Sequence, residues 1–163
     1  MNATDTMRTI RKVEATGPVS LRLLWSDGAN AELDLGTWLD APGFDALRDP
    51  VEFAHVEVGD WGHSLRWPSG AEMGADSLWL ETLSASQRDD ARRFLEWRLR
   101  HGLSLSAAAK ALGLSRRMVA YYSNGEKRVP LTVLLACRGW EVSPRARTAG
   151  EHPGRHGDRP NAA

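Results

Sequence analysis

The chain has 163 residues, of which 42% are hydrophobic and 26% are charged, a composition typical of one ordinary globular domain or two small ones. Its formal net charge of zero conceals two opposed halves. Residues 1–86 contain 14 acidic and 6 basic side chains, whereas residues 87–163 contain 7 acidic and 15 basic ones. This split predicts two modules, of which the second suits a polyanion such as nucleic acid.

The cysteine content excludes an internally disulfide-bonded protein, and the hydropathy argues against a membrane-spanning one. A single cysteine, Cys137, cannot form an internal disulfide and lies in an apolar helical run, so we expect it to be a buried core residue. No apolar run reaches the roughly 18 residues that a bilayer-spanning helix needs. We therefore expect a cytoplasmic protein that does not enter a membrane.

Three β-strands are predicted at the start of the chain. Residues 19–25 and 31–35 alternate apolar and polar side chains, the period of a half-buried strand. Asp27 and Gly28 lie between these segments and predict a tight hairpin turn. The preceding segment, TIRKVEAT, predicts another strand.

The next forty residues continue as short elements. Residues 40–50 are rich in turn formers and predict one helical turn at residues 44–47. FAHVEV, at residues 53–58, and HSLRW predict two strands joined by a loop at residues 59–62. After the WPSG turn, SLWLETL fits either a last strand or a short helix. Residues 1–83 are thus predicted to form a small, mostly antiparallel sheet domain within an α+β fold.

Near Leu83 the apolar spacing changes to that of a helix. SASQRDDARRFLEWRLRHG has one apolar helical face, formed by Ala91, Phe94, Leu95 and Leu99. Ser86 and Asp89 have the spacing of a capping box at the start of this helix. Gly102 is expected to end it.

Two short helices with a turn between them are predicted next. Ser104 has the side chain of a helix cap, and Gly113 can adopt the positive φ that ends the helix after Leu112. Ser115 can cap a second helix that runs to about Ser123. Two short helices joined by a glycine-containing turn are typical of a helix-turn-helix unit.

A last helix and a tail complete the predicted elements. Pro130 fits the first turn of a helix at residues 131–138, and Gly139 is expected to stop that helix. Residues 143–163 contain Pro, Gly and Arg and almost nothing apolar. Such a composition cannot offset the entropy cost of ordering, so it predicts a disordered basic tail.

The segment AAAKALGLSRRMV resembles the helix-turn-helix of the lambda-repressor-like family of DNA-binding domains. Ala109 supplies the small residue at the helix crossing, Gly113 the turn and Val119 the buried contact of the second helix. The resemblance implies an all-α domain of four or five helices at residues 84–142 that binds double-stranded DNA.

The resemblance also implies which side chains contact DNA. The second helix of the unit would enter the major groove, where five residues would face DNA: Ser115, Arg116, Arg117, Ala120 and Tyr121. Of these, Arg116, Arg117 and Tyr121 would read the bases. Residues placed for phosphate contacts are Ser104, Lys110, Ser123, Asn124, Lys127 and Arg128. One departure is Leu105, which stands where many members of the family carry a phosphate-binding glutamine.

Three segments of the first half resemble DUF2442, a family of small bacterial domains of unknown function. They are DGANAELDL, FDALRDPVEFAHVEV and LRWPSGAEMGADSLW, and the resemblance covers residues 10–80. Glu72 and Met73 depart from the usual segment after the WPSG turn. The resemblance implies no established activity. Members of this family occur fused to a helix-turn-helix or near genes resembling toxin–antitoxin pairs, and the present arrangement is similar to the fused form.

The first half offers little for catalysis. His55, Asp60 and His63 are its one tight cluster of groups able to bind a metal or a proton, and two histidines without a third ligand make a poor zinc site. No nucleophile, base and orienting group can be assembled, so we expect no enzymatic activity, no metal and no cofactor. Four tryptophans fit either the core of the sheet or a protein-binding face: Trp25, Trp61, Trp67 and Trp79.

Together these patterns predict a sequence-specific DNA-binding transcriptional regulator whose first domain senses a signal or binds a protein. One such DNA-binding domain contacts few base pairs, so we expect a homodimer, although no pattern identifies the surface that would pair. The alternative is an antitoxin-like or purely protein-binding module. Its helix-turn-helix would serve autoregulation or would no longer bind DNA.

Overall fold

The computed structural model describes residues 8–143, which form an α+β fold. The first antiparallel sheet comprises β1 (Ile10–Ala15), β2 (Ser20–Trp25) and β3 (Asn30–Asp34). The second comprises β4 (Glu57–Val58), β5 (Ser64–Arg66) and β6 (Glu72–Gly74). The described residues also include α1 (Pro50–Ala54), α2 (Ala75–Ala85), α3 (Asp89–Arg100), α4 (Leu105–Leu112), α5 (Arg116–Ser123) and α6 (Leu131–Val142). Beyond Ser143, the predicted tail lies outside the described residues.

The first sheet confirms the predicted strands and hairpin. β2 is the middle strand, and its alternation places Leu21, Leu23 and Trp25 on one fully buried face. The turn between β2 and β3 contains Gly28 at φ 89°. The Asp27 carboxylate accepts a hydrogen bond from the backbone two residues on, at 3.1 Å, which is the usual way that Asp stabilises such a turn.

The strand predicted at residues 53–58 is largely wrong. Asp49 accepts a hydrogen bond from a backbone amide at 2.9 Å and Pro50 occupies the first turn, so the short helix α1 begins here. Phe53 therefore reaches the core from a helix, and strand pairing starts only at Glu57. The local cap outweighs an alternation only six residues long.

The segment SLWLETL, whose sequence fits either a strand or a helix, belongs to helix α2. A strand that the sequence did not reveal, β6, lies between the WPSG turn and α2 and pairs with β5 through Leu65 and Met73. It is only three residues long, too short for an alternating pattern to be visible. The helical turn predicted at residues 44–47 is confirmed as a 3-10 turn at Asp45–Arg48.

Helix α3 is confirmed, but its predicted capping box is wrong. Ser86 lies at the end of α2 and donates its hydroxyl hydrogen bond to the Thr82 carbonyl at 2.8 Å. Gln87 then adopts φ 56° and turns the chain, and α3 begins after Arg88 without a side-chain cap. The serine is thus used by the preceding helix and does not reach the following one.

The predicted stop at Gly139 is also wrong, because α6 runs through it. Glycine within a helix costs roughly 1 kcal/mol relative to alanine. Contacts of the last turn offset this cost: Trp140 packs edge-on against Trp97 at 5.5 Å, and Glu141 pairs with Arg100 at 3.1 Å.

Helix α2 packs on the first sheet and on the helix-turn-helix unit at once. The Trp79 ring meets the Trp25 ring edge-on, with centroids 5.1 Å apart. The indole N–H of Trp25 donates to the Thr82 hydroxyl at 3.2 Å, and that of Trp79 donates to the Ser123 carbonyl at 3.2 Å. The buried residues of both halves therefore form one continuous core.

The loop after α5 is held by the start of α3. Arg88 donates hydrogen bonds to the carbonyls of Gly125 and Lys127, and Asp90 accepts one from the Val129 amide at 2.8 Å. Partial burial alone would raise the pKa of Asp90, but the hydrogen bonds from Arg88 and from backbone amides lower it to about 2.

We expect Trp79→Phe to lower the free energy of unfolding by about 2 kcal/mol or more, because the buried Ser123 carbonyl loses its donor and the smaller ring leaves a cavity. Urea denaturation measures the change. Trp61→Phe is the matched control, since Trp61 is 88% exposed and should tolerate the same substitution. Equal stability of the two variants would contradict the role given to Trp79.

We expect the Asp90 carboxylate to stabilise the fold only while it is ionised. Its pKa of about 2 lies below the ordinary 3.8, so the stabilisation is present above about pH 4 and is lost as the pH falls toward 2. Asp90→Asn should lower the unfolding free energy at neutral pH by roughly 2 kcal/mol and flatten its dependence between pH 4 and 2.

Urea titrations at a series of pH values test this expectation. The matched control is Asp89→Asn, which removes the exposed carboxylate that precedes Asp90 on α3. This variant should still lose stability as the pH falls from 4 to 2. An Asp90→Asn variant whose stability still falls as steeply as that of the wild type would show that another group carries the effect.

Candidate nucleic-acid interface

The corner between α4 and α5 has the predicted caps and turn. Ser104 Oγ accepts a hydrogen bond from the Ala107 amide at 3.0 Å, and Ser115 Oγ accepts one from the Met118 amide at 3.1 Å. Gly113 adopts φ 68° at the end of α4, in the left-handed region that favours glycine. The two helices therefore begin and end where the sequence predicts.

Small side chains let the two helices approach closely. Ala108 and Ala109 are buried on α4, and Val119 and Tyr122 are buried on α5. The Tyr122 ring packs edge-on against Phe94 of α3, with centroids 5.5 Å apart. Because this side of α5 faces the core, the opposite side faces solvent.

The outer side of α5 carries an ordered group of polar side chains. Arg117 donates its Nε–H to the Tyr121 hydroxyl at 2.6 Å, and its guanidinium lies 5.3 Å from the centre of the Tyr121 ring. Lys127 Nζ lies 4.9 Å from the same ring centre. The tyrosine thus holds two cations by cation–π attraction and fixes the direction of one of them.

The predicted DNA-contacting residues fall into three classes of exposure. Exposed side chains are Ser104, Lys110, Ser115, Arg117, Lys127 and Arg128. Half-buried ones are Arg116, Ala120, Tyr121 and Asn124. The remaining residue, Ser123, is buried.

The phosphate contact predicted for Ser123 is therefore wrong. The residue is 4% exposed, and its hydroxyl donates to the Val119 carbonyl at 2.8 Å and accepts from Arg98 Nη1 at 2.7 Å. Its place, four residues after the buried Val119, puts it on the core side of α5. Both hydrogen bonds are made inside the protein.

Arg98 is a residue that the sequence reasoning missed. It lies on α3, is buried, and also donates its Nε–H to the Leu103 carbonyl at 3.0 Å. It thus joins the end of α3 to the end of α5 through Ser123. One signal was present: Arg98 falls four residues after Phe94 and so lies on the apolar face of the helix.

Arg8 was missed for a different reason. Its guanidinium stacks 4.1 Å from the centre of the Trp79 ring and pairs with Asp27 at 2.9 Å and, more distantly, with Glu126 at 3.9 Å. Burial lowers the pKa of Arg8, and the two carboxylates oppose that effect. All three partners are distant in sequence, so no local pattern points to this contact.

The cluster suspected in the first half does not assemble. Asp60 pairs with Arg66 at 2.6 Å, and His55 Nδ1 lies 2.6 Å from the carbonyl at the start of its own helix. Within residues 8–143 no three metal-capable side chains come together. Burial raises the pKa of the Cys137 thiol to about 12, which leaves it protonated and inert. Of the helices in this range, none has the length and apolarity to cross a membrane.

Comparison with known proteins gives two family matches and a similar structure. Residues 10–82 match the model described as "Protein of unknown function (DUF2442)", and residues 95–137 match a helix-turn-helix model. The crystal structure of NE0471 from Nitrosomonas europaea ATCC 19718, provisionally described as a DNA-binding protein, has a TM-score of 0.62. It is 38% identical, over 83% of this chain and 87% of that one. No curated protein matches the chain.

These matches confirm both resemblances read from the sequence, in the same order along the chain. The identity to NE0471 extends over most of both chains, so the likeness includes the sheet half and the helical half together. Residues 10–82 therefore belong to the DUF2442 family, and a helix-turn-helix domain of the lambda-repressor-like type follows them at residues 95–137.

Proposed function

We propose that this protein is a cytoplasmic, sequence-specific DNA-binding transcriptional regulator. The observation that carries the proposal is the outer side of α5, where Tyr121 orients Arg117 beside Lys127. The second helix of a helix-turn-helix presents such side chains to base edges in the major groove. The provisional description of NE0471 as DNA-binding supports the same conclusion.

Arg117 is the strongest candidate for reading a base. Its hydrogen bond to Tyr121 uses Nε, so the two terminal nitrogens remain for a bidentate contact with O6 and N7 of guanine. Such a contact discriminates against other bases by about 1–3 kcal/mol. Arg116, on the same helix, is half-buried and is therefore less suited to this role.

Phosphate contacts come from both ends of the unit. Ser104 and Lys110 are exposed on α4, and Lys127 and Arg128 are exposed on the loop held by α3. These contacts set the position of the domain on the duplex and carry no sequence information. Leu105 is buried and adds nothing to them, so the phosphate contacts depend on these four side chains and on the half-buried Asn124.

The protein is proposed to bind DNA as a homodimer. Helix α5 has eight residues and reaches only a few base pairs. Two copies on half-sites about 34 Å apart would place their second helices in successive turns of the major groove. The first domain would then sense a signal or bind a protein that alters this arrangement.

One observation favours a second candidate function, binding of a partner protein as in antitoxin-like proteins. Trp61 is 88% exposed and adopts φ 57°, a conformation that costs a non-glycine residue roughly 1–3 kcal/mol. The Asp60–Arg66 ion pair and Gly62, whose backbone lies against Ile10, hold its turn. A rigid exposed tryptophan suits an interface anchor.

In that case the helix-turn-helix would serve autoregulation or would no longer bind DNA. A stable stoichiometric complex with the product of a neighbouring gene would select this candidate over the first. Neither candidate includes enzymatic activity, a metal or a cofactor.

We expect Arg117→Ala to weaken binding to the preferred DNA site by roughly 5- to 150-fold and binding to a shuffled duplex much less, because the variant loses a base contact. Fluorescence anisotropy on a site enriched from genomic DNA, across a salt series, measures both affinities. Arg11→Ala, at an exposed arginine of β1, is the matched control. If the wild type bound both duplexes equally and lost both at modest salt, the binding would be non-specific electrostatic attraction, which would contradict sequence-specific recognition.

We expect Tyr121→Phe to lower selectivity for the preferred site by about tenfold, because Arg117 loses the acceptor that orients it while the ring stays. The same anisotropy assay reports the ratio of the two affinities. Tyr122→Phe removes the neighbouring hydroxyl and should leave selectivity unchanged. Equal selectivity in all three proteins would show that Arg117 finds its base without Tyr121.

A further inference from the structure

Helix α6 carries an apolar stripe that the fold does not cover. Leu131, Leu135 and Val142 are 69%, 54% and 76% exposed, and Arg138 between them is exposed as well. The spacing of these four residues is four, three and four, so they lie on one side of the helix, as along a coiled-coil seam. We call them the outer stripe. Cys137, the buried residue of α6, lies on another side.

The outer stripe concentrates the exposed apolar surface of the described chain. Among residues 8–143 five large hydrophobic side chains are strongly exposed, and three of them are in the stripe. The other two, Val51 and Trp61, lie in the sheet half. Three large aliphatic side chains aligned on one helix are characteristic of a surface that binds a partner, whereas single exposed ones are ordinary.

The two segments outside the described residues are poor in apolar side chains. Residues 1–7 and 144–163 contain two methionines and no leucine, isoleucine, valine or aromatic residue. A segment of that composition buries too little apolar surface to offset its own ordering. Neither of these two segments is therefore suited to cover the stripe.

We propose that the outer stripe is a homodimer interface, in which α6 pairs with α6 of a second copy. Residues 87–163 have a net charge of +8, which opposes the approach of a second copy. The stripe has one charge, and the groove of about 470 Å³ beside it, between α3 and α6, has both signs on its walls: Arg93, Glu96, Arg100 and Glu141. At this face, carboxylates and apolar side chains accompany the basic ones, which weakens the repulsion between two copies.

The positions of the side chains favour an antiparallel pair about a two-fold axis. In that arrangement Leu131 faces Val142 of the partner subunit, and Leu135 faces the aliphatic stem of the partner subunit's Arg138. Its guanidinium can then extend toward the groove, whose lining includes the carboxylates of Glu96 and Glu141. A parallel pair would instead place the two Arg138 side chains against each other, which like-charge repulsion opposes.

The interface is expected to be weak in free protein. Two helices of 12 residues cover less than the roughly 800 Å² per partner of a standard interface, so we expect a micromolar Kd that DNA strengthens by holding both copies. The inference rests on the proposed function in one respect: DNA with two half-sites would hold two copies side by side. The dimer itself is a property of the protein without DNA.

Sedimentation equilibrium of the full chain without DNA tests the proposal. The wild type should dimerise in the micromolar range, and Leu135→Arg should raise the dimer Kd by at least about 100-fold, because it sets an arginine against the partner's Arg138 on both sides of the axis. Val142→Arg, at the end of α6, should act in the same direction. Val51→Arg, an equally exposed site on α1, is the matched control and should dimerise as the wild type does.

A rescue experiment tests the antiparallel pairing. Adding Arg138→Glu to Leu135→Arg should restore dimerisation, because each introduced arginine then faces an introduced carboxylate on the other copy. A parallel pair gives no such match. Circular dichroism and thermal melting establish that each variant is folded, which is expected because the stripe is exposed in a single copy.

Three results would overturn the proposal: a monomeric wild type at hundreds of micromolar, folded Leu135→Arg and Val142→Arg variants that dimerise normally, or no rescue by Arg138→Glu. Fluorescence anisotropy on a DNA fragment with one half-site measures DNA binding independently of dimerisation. It therefore distinguishes failure of the dimer proposal from failure of the proposed function. Monomeric Leu135→Arg should keep its affinity for the single half-site. Intact dimers that do not bind DNA would overturn the proposed function alone.

Discussion

The burial of Trp79 between the first sheet and the helix-turn-helix unit is the contact on which the rest of the structure depends. Its ring packs edge-on against Trp25, its N–H is bonded to the Ser123 carbonyl, and Arg8 stacks upon it. A buried tryptophan combines a large apolar area with one directional hydrogen bond. This side chain therefore both joins the two halves and defines how α5 sits against α2.

Because α5 is held from its inner side, its outer side has a defined direction. Arg98 binds the end of α5 through Ser123, and Asp90 binds the loop that follows. On that outer side, Arg117 is exposed and is oriented by the Tyr121 hydroxyl. The outer stripe of α6 has the same origin: one side of the helix completes the core and the other is left for a partner.

The opposed charges of the two halves cancel only in part where the halves meet. The contact between them includes the Trp79 indole on the Ser123 carbonyl, the cation of Arg8, which Asp27 and Glu126 balance, and an ion pair of Glu81 with Arg92 at 3.6 Å. Lys110, Arg117 and Lys127 make no ion pair with any carboxylate of residues 8–143. The positive charge of the helical half thus remains directed outward, where phosphates can bind it.

The sequence by itself determined the elements that rest on near neighbours, since the caps at Ser104 and Ser115 and the positive φ at Gly113 act within one helical turn. The Asp49 cap was equally local, but alternation at residues 53–58 obscured it. Only the tertiary structure decided the role of Ser123, whose partner Arg98 lies 25 residues away, and the continuation of α6 through Gly139, which depends on a tryptophan of α3. Hydrogen bonds between neighbours are set by residue type and spacing, whereas contacts between distant segments exist only in the folded chain.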